Sequence, residues 1–414
     1  MTLSAAVAPA EALNRFATLP PYPFARLRSL LGGVEPGGPE LVMTIGEPRH
    51  APPAFVPEII ARESAGFGRY PPTEGPLSYR QAAADWLIRR FDLPPGFVDP
   101  QKQVLALSGT REGLFMAALA LVPGRKNGKT PAVLLPNPFY QCYAAAAAAS
   151  GAEPIFVPAT AETGHLPDYA SLPAEIWDRT AFIYLCSPAN PQGATASRAY
   201  LTDLLARAAR TGAILAADEC YSEIYDRAPP TGALEVAAAG GGSENLLVFH
   251  SLSKRSNLPG LRMGFVAGGA KLIAEMARLR SYGGATVPTP LALAGAAAWR
   301  DEAHVEANRA LYREKFDLAD QILANLPGYA RPEGGFFLWL RVKEGEDSAL
   351  RLWREHGLRV LPGAYLARDS DGALGGPKGN PGAPYLRVAL VEDLDSTRRG
   401  LEILREEMRA HPGA

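Results

Sequence analysis

The sequence predicts an α/β protein: a large, mostly parallel sheet covered by helices on both faces, with a smaller α+β domain beside it. Three observations predict it. From about residue 100, short apolar runs alternate with helical segments. Those runs are nearly continuous rather than two-periodic, as in strands buried on both faces. After Pro290 the texture changes to a long helical region followed by scattered strands. A domain size of about 150 residues would divide the 414-residue chain into roughly two or three units. The expected partition is residues 1–49 as an N-terminal segment completing the small domain, 50–290 as the large domain, and 291–414 as the small domain with its connecting helix.

The elements follow in order. "PYPFARLRSLLGG" reads as a short helix broken by glycine, and 41–45 as a strand ending in the Gly46-Glu47-Pro48 turn. Apolar residues at helical spacing predict a helix from about Leu77 to Phe91. The strand 103–107 then leads into "REGLFMAALALV", and "AVLLPNP" into the alanine-rich helix after Tyr140. "EPIFVPA", "AFIYLC", "AILAAD", "NLLVFHS" and "MGFVAGG" supply further strands. Beyond Pro290 come helical residues 291–325, the strand "GGFFLWLRV", a helix at 347–356 and "GLRVLPG". A Gly/Pro loop at 371–384, the strand "YLRVALV" and a terminal helix complete the chain.

Composition narrows the class. Apolar residues make up 47% and charged residues 21%, with a net charge of -1, which excludes a disordered chain and a broadly basic nucleic-acid binder. Three cysteines without a CxxC pair support neither a disulfide framework nor structural zinc, and read as small core residues in a reducing compartment. Six histidines form no HExxH pair, so no metal site is expected. The first twenty residues lack a basic stretch followed by an apolar one, and no apolar run reaches about 18 residues. A cytoplasmic protein without a membrane partner is expected. Lysine occurs at eight positions only, so chemistry needing a primary amine has few places to occur.

Lys254 follows an apolar strand in "VFHSLSKRSNLPGLRMG". Alone, that placement suits a surface lysine; enclosed, desolvation would lower its pKa and make it a nucleophile and base. Ser251, Ser253 and Arg262 are spaced to surround an anion. Ser108-Gly109-Thr110 opens a helix after a strand, where free amides hold phosphate, or where Ser108 or Thr110 merely caps the helix. Asp218 ends a central strand, where a carboxylate needs a cation, an ion pair or a capping role. Tyr221 and Asn190 can donate to a phenolate-like oxygen, and Tyr140 can cover a flat ring or serve as a core aromatic. Arg387 alternates with Leu386 and Val388, facing either solvent or a cleft where its planar fork suits an α-carboxylate. Together these residues ask for a flat, phosphate-bearing aldehyde cofactor with a protonated ring nitrogen.

"IGEP", "NPxG", "DExYxE" and "SxSK…PGLRxG", in this order, resemble the class I aminotransferases of the fold-type I pyridoxal-phosphate enzymes over nearly the whole chain. The resemblance implies pyridoxal 5'-phosphate as cofactor, bound covalently through its aldehyde to Lys254. Asp218 would pair with the pyridine nitrogen, Tyr221 and Asn190 would hold the ring oxygen, and Tyr140 would stack on the ring. Gly109, Thr110, Ser251, Ser253 and Arg262 would hold the phosphate, with Tyr70 of "YPPTEG" reaching it across a homodimer interface. Arg387, Asn190 and the Gly46 backbone would bind the substrate carboxylate, and Lys254 would move the α-proton with Asp218 and Tyr221 in support.

Within the family, "PYPFARLR", "IGEPRH", "NPFYQCY" and "FHSLSKRSNLPGLRMGFVAG" are similar to the bacterial succinyldiaminopimelate aminotransferases of lysine and diaminopimelate biosynthesis. An aminotransferase for aromatic or general 2-oxo acids, or a lyase on the same fold, is the alternative. Gln192 replaces a common threonine, "SGTREG" departs slightly from its usual form, and "SYGGATVPTP" holds no arginine of the aspartate-specific kind. Arg26, Arg49 and Arg255 are then the candidates for a remote carboxylate.

Overall fold

The computed structural model describes residue 16, residues 19–240 and residues 242–413. The start of the chain that bears on export lies outside the described residues. Among the described residues no helix is long and apolar enough to cross a membrane.

A seven-stranded sheet organises the larger part. In chain order its strands are β2 (Val104–Leu107), β3 (Ala132–Asn137), β4 (Glu153–Pro158), β5 (Thr180–Cys186), β6 (Ile214–Asp218), β7 (Leu246–Ser251) and β8 (Gly264–Gly268). Spatially they run β2-β8-β7-β6-β5-β3-β4, and only β8 is antiparallel to its neighbours. Nearly every residue of β2, β3, β5, β6 and β7 is buried, because helices cover both faces. One apolar layer packs Trp86, Phe265 and Trp299 on one side of the sheet, and another packs Tyr143, Tyr184 and Phe249 on the other.

The smaller part is built on β11 (Leu361–Pro362), β12 (Tyr385–Ala389) and β9 (Phe337–Arg341), antiparallel in that order. The N-terminal strand β1 (Leu41–Val42) pairs in parallel with β10 (Leu358–Arg359), so both ends of the chain do meet in this region. The architecture is the large α/β/α domain plus smaller α+β domain read from the sequence.

Two elements differ from expectation for local reasons. The first strand stops at Val42, not Ile45, because the following carbonyls leave the ladder: Thr44 and Gly46 accept from side chains of Arg387 and Lys254. The helical region after Pro290 is two helices, Thr289–Arg300 and Ala303–Leu323. Asp301 between them is extended, and its carboxylate accepts from the His304 N–H at 3.1 Å, a side-chain bond that competes with continued helix. The first of the pair packs into the large-domain core through Ala292, Ala296 and Trp299.

Candidate active site

In an open α/β sheet, ligands meet the chain beyond the carboxyl ends of parallel strands. Here β5 ends at Cys186, β6 at Asp218 and β7 at Ser251, and antiparallel β8 starts at Gly264 on the same edge. A cavity of about 430 Å³ opens there, closed on its other side by the small domain. Gly46, Thr110, Tyr140, Asn190, Asp218, Tyr221, Ser251, Ser253, Lys254, Arg262 and Arg387 all line it. Gly109 stands behind Arg262. Tyr70 does not line it and is fully exposed.

Lys254 sits on the one-turn helix Leu252–Arg255 that follows β7. Its Nζ donates to the Gly46 carbonyl and lies 5.3 Å from the Phe336 ring centroid. Burial, reinforced by the nearby positive charge of Arg387, lowers the amine pKa to about 8. Lys254 thus lies in the cavity rather than on the open surface.

Asp218 is buried at the end of β6. One carboxylate oxygen accepts from Tyr143 Oη at 2.6 Å and the other from the Cys220 N–H at 3.3 Å. Burial still holds the carboxyl above its ordinary range despite these donors. A cation at the cavity end of Asp218, such as a protonated ring nitrogen, would reverse that cost.

The phosphate end is an anion cradle. The helix Thr110–Leu121 has Gly109 at its N-cap with no side-chain cap, leaving its first amides free. The expected caps fail for a reason: Ser108 spends its hydroxyl on the Ala285 carbonyl, while Thr110 Oγ1 meets Cys220 Sγ at 3.0 Å. Arg262 donates only to the Pro259 and Ser108 carbonyls and has no carboxylate partner among the described residues. It adopts φ 54°, a left-handed conformation uncommon for a side-chain-bearing residue. Gly109, at φ +83°, leaves room for that guanidinium, since a Cβ there would stand 2.0 Å from Nη2.

Arg387 is buried and faces the cleft, not solvent. It donates from Nη1 to Asn190 Oδ1 at 3.0 Å and from Nη2 to the Thr44 carbonyl at 2.8 Å. Burial lowers its pKa to about 10, leaving it charged at neutral pH. Because Asn190 accepts through Oδ1, its NH2 group remains a donor. Tyr140 lies at the start of helix Gln141–Ser150, and its hydroxyl accepts from Arg111 Nε.

The sequence does not single out Tyr143, Arg111, the cysteines' placement, or Phe337, whose ring centroid lies 4.3 Å from the Arg387 guanidinium at the cavity wall. Tyr143 follows Tyr140 within "NPFYQCY", and its spacing alone does not reveal which carboxylate it meets. Cys186 and Cys220 line the cavity rather than serving only as core filler.

The donor set fits pyridoxal phosphate: one buried amine of lowered pKa, one buried carboxylate wanting a cation, and one unneutralised guanidinium beside uncapped helix amides. Residues 39–373 match the family model described as aminotransferase class I and II. The chain belongs to this family and is a pyridoxal-phosphate-dependent aminotransferase. Among curated relatives it is similar to the LL-diaminopimelate aminotransferase of Maridesulfovibrio salexigens, 30% identical with 94% of this chain and 97% of that one covered. It is also similar to the 4-dedimethylamino-4-oxo-anhydrotetracycline transaminase OxyQ of Streptomyces rimosus, 35% identical over 84% of this chain and 88% of that one. Among solved structures, an aminotransferase from Neisseria meningitidis Z2491 superposes with a TM-score of 0.89 at 39% identity, covering 95% of this chain and 100% of that one.

Proposed function

We propose that the chain transfers the amino group between N-succinyl-LL-2,6-diaminopimelate and 2-oxoglutarate, giving N-succinyl-2-amino-6-oxopimelate and glutamate. The observation that carries the aminotransferase part is the convergence of Lys254, Asp218 and Arg387 on one cavity. The succinylated substrate rests on the sequence phrases. The unmodified LL-diaminopimelate is the second reading, favoured by relatives of that name at 30 to 32% identity over more than nine-tenths of the chain.

When bound, pyridoxal phosphate supplies an electrophilic carbon and a protonated ring that accepts the electron pair from the substrate α-carbon. The geometry supports the following roles for the chain. Asp218 keeps the ring nitrogen protonated, and Tyr143 holds its carboxylate in place. Tyr221 and the Asn190 NH2 group donate to the ring oxygen, while Tyr140 covers the ring. Thr110, Ser251, Ser253, Arg262 and the amides after Gly109 hold the phosphate. Arg387 grips the α-carboxylate, which sets the α-hydrogen toward Lys254. With a pKa of about 8, Lys254 Nζ could take that proton near neutral pH and return it to the former aldehyde carbon, on the far side of the nitrogen.

A homodimer belongs to the same proposal. Tyr70 is fully exposed, and a second cavity of about 570 Å³ adjoins Arg262 and Ser108, open space in which the proposal would seat a partner's tyrosine. Of the three arginines considered for a remote carboxylate, Arg255 is buried against Glu302 and Arg49 is paired with Glu392. Arg26, loosely paired with Glu346 at 3.6 Å, is the remaining candidate.

The test follows the visible spectrum of the cofactor-loaded protein as N-succinyl-LL-diaminopimelate, LL-diaminopimelate, glutamate and aromatic amino acids are added in turn. Conversion of the cofactor by the succinylated compound at least about tenfold more efficiently than by LL-diaminopimelate is the expected result. The reverse preference would replace the first reading by the second.

A further inference from the structure

The turn that carries Lys254 is too short to satisfy its own carbonyls. In the helix Leu252–Arg255, the Leu252 carbonyl receives the Ser256 N–H, but the carbonyls of Lys254 and Arg255 lie in the last turn, where an α-helix has no internal donors. Both accept from the side chain of Asn308, at 3.3 and 3.4 Å, on the helix Ala303–Leu323. Only an amide nitrogen can donate to carbonyls, so Asn308 Oδ1 is turned the other way. It meets His50 Nδ1 at 2.8 Å, and His50 Nε2 meets Lys315 Nζ at 2.8 Å.

We propose that Asn308, His50 and Lys315 form a hydrogen-bonded relay that positions the Lys254 turn, so that groups which never touch substrate set the direction of the reactive amine. The roles along the relay are forced from the carbonyls outward. Asn308 Oδ1 accepts, hence His50 Nδ1 carries the hydrogen. His50 Nε2 is then an acceptor, which requires the donor that Lys315 provides. A doubly protonated ring would oppose Lys315, and a ring of the other tautomer would oppose Asn308.

The surroundings support this arrangement. Burial keeps the His50 pKa below its ordinary value, and the charge of Lys315 acts in the same sense, while Asn308 and Glu314 oppose it. Lys315 itself is buried, its pKa lowered to about 8 by desolvation that Glu392, Asp393 and Glu314 partly offset. The Tyr312 ring lies 4.6 Å from the His50 ring and closes the remaining side. The relay joins the stretch around His50, the helix after Asp301 and the lysine turn after β7. These are three parts of the chain whose relative placement must be held for the amine to point at the Gly46 carbonyl and the cavity.

The proposal rests on Lys254 being the reactive amine, and the test separates the two. In cofactor-free protein, reductive methylation is followed at each of the eight lysines by mass spectrometry, from pH 6.5 to 10. In loaded protein, kcat and KM are measured for the amino donor. Wild-type Lys254 should be modified faster at pH 7 than the exposed lysines, and enclosed Lys315 should not. In His50→Leu and Asn308→Ala, the loosened amine regains solvent, its pKa rises by about one unit, and its modification at pH 7 slows about tenfold. In the same variants kcat should fall about tenfold with KM changed less than about twofold.

His50→Gln keeps a donor for Asn308 and an acceptor for Lys315, and should recover most of both readouts. Lys315→Met, at the far end, should show a smaller loss of about threefold and serves if His50→Leu does not fold. Wild-type rates in the folded variants, or no recovery in His50→Gln, would overturn the relay alone. Slow wild-type labelling of Lys254 would instead overturn its role as the reactive amine.

Discussion

On the sheet side of the cavity, each functional group lies within a few residues of a strand end. Asp218 closes β6, Lys254 follows β7 by three residues, and Gly109 follows β2 by two. On the small-domain side, Arg387 sits mid-strand in β12 and is aimed by two distant partners, Asn190 and the Thr44 carbonyl. The first wall is set by local backbone, the second by the docking of three chain segments. On the proposed roles, cofactor and substrate would be held by structures of different kinds, so damage to one wall should leave the other's ligand in place.

The largest effect is expected on the sheet side. Lys254→Ala should lower turnover by about 10⁴-fold or more while noncovalent cofactor binding persists, read from single-turnover rates and the absorbance of bound cofactor. The same residue predicts a pH-dependent stability. Its folded pKa of about 8 lies below the ordinary 10.5, so between those values the unfolded chain binds more protons and the cofactor-free protein gains stability as pH rises. Lys254→Met should flatten that slope, leaving the part due to Lys315, whose pKa is also lowered to about 8, and be more stable than wild type at pH 7 by ~1–3 kcal/mol, checked by thermal unfolding at pH 7, 9 and 11.

Next is Arg387→Lys, which keeps the charge but loses the fork. We expect kcat/KM to fall about 10²-fold with cofactor affinity unchanged. Equal loss of cofactor would break the distinction between the walls. Gly109→Ala should do the opposite, weakening cofactor binding about tenfold with little change in KM, because a Cβ meets Arg262 and the backbone prefers glycine. Equilibrium dialysis and steady-state kinetics decide it. The smallest effect is Tyr70→Phe, about threefold weaker cofactor binding if one neutral hydrogen bond crosses a dimer interface. No change, or a monomer in sedimentation, would remove that residue from the site.

The two walls were also unequally legible. Asp218, Tyr221 and Lys254 can be singled out from sequence because each stands within three residues of a strand end inside a family motif, and Arg262 because it belongs to the same motif as Lys254. Residues 291–325 read as one helical region in the sequence because the interruption at Asp301 depends on one side-chain bond to a nearby backbone group. Arg387 stayed open between solvent and cleft, since alternation in a strand does not say which face is covered. Tyr143 was overlooked because its partner Asp218 is 75 residues away. The His50 contacts to Asn308 and Lys315 span 258 and 265 residues, and no local pattern carries them.

By itself, then, the sequence determined the alternating α/β architecture and the family, and named Lys254 among eight lysines as the candidate amine. Those follow from periodicity and from motifs contained in short stretches. Only the tertiary structure decided that Lys254 is enclosed enough to lose its proton near pH 8, that Arg387 turns inward, and that Arg255 and Arg49 are already neutralised. Burial and pairing are properties of what comes to lie beside a residue, and here the decisive neighbours come from opposite ends of the chain.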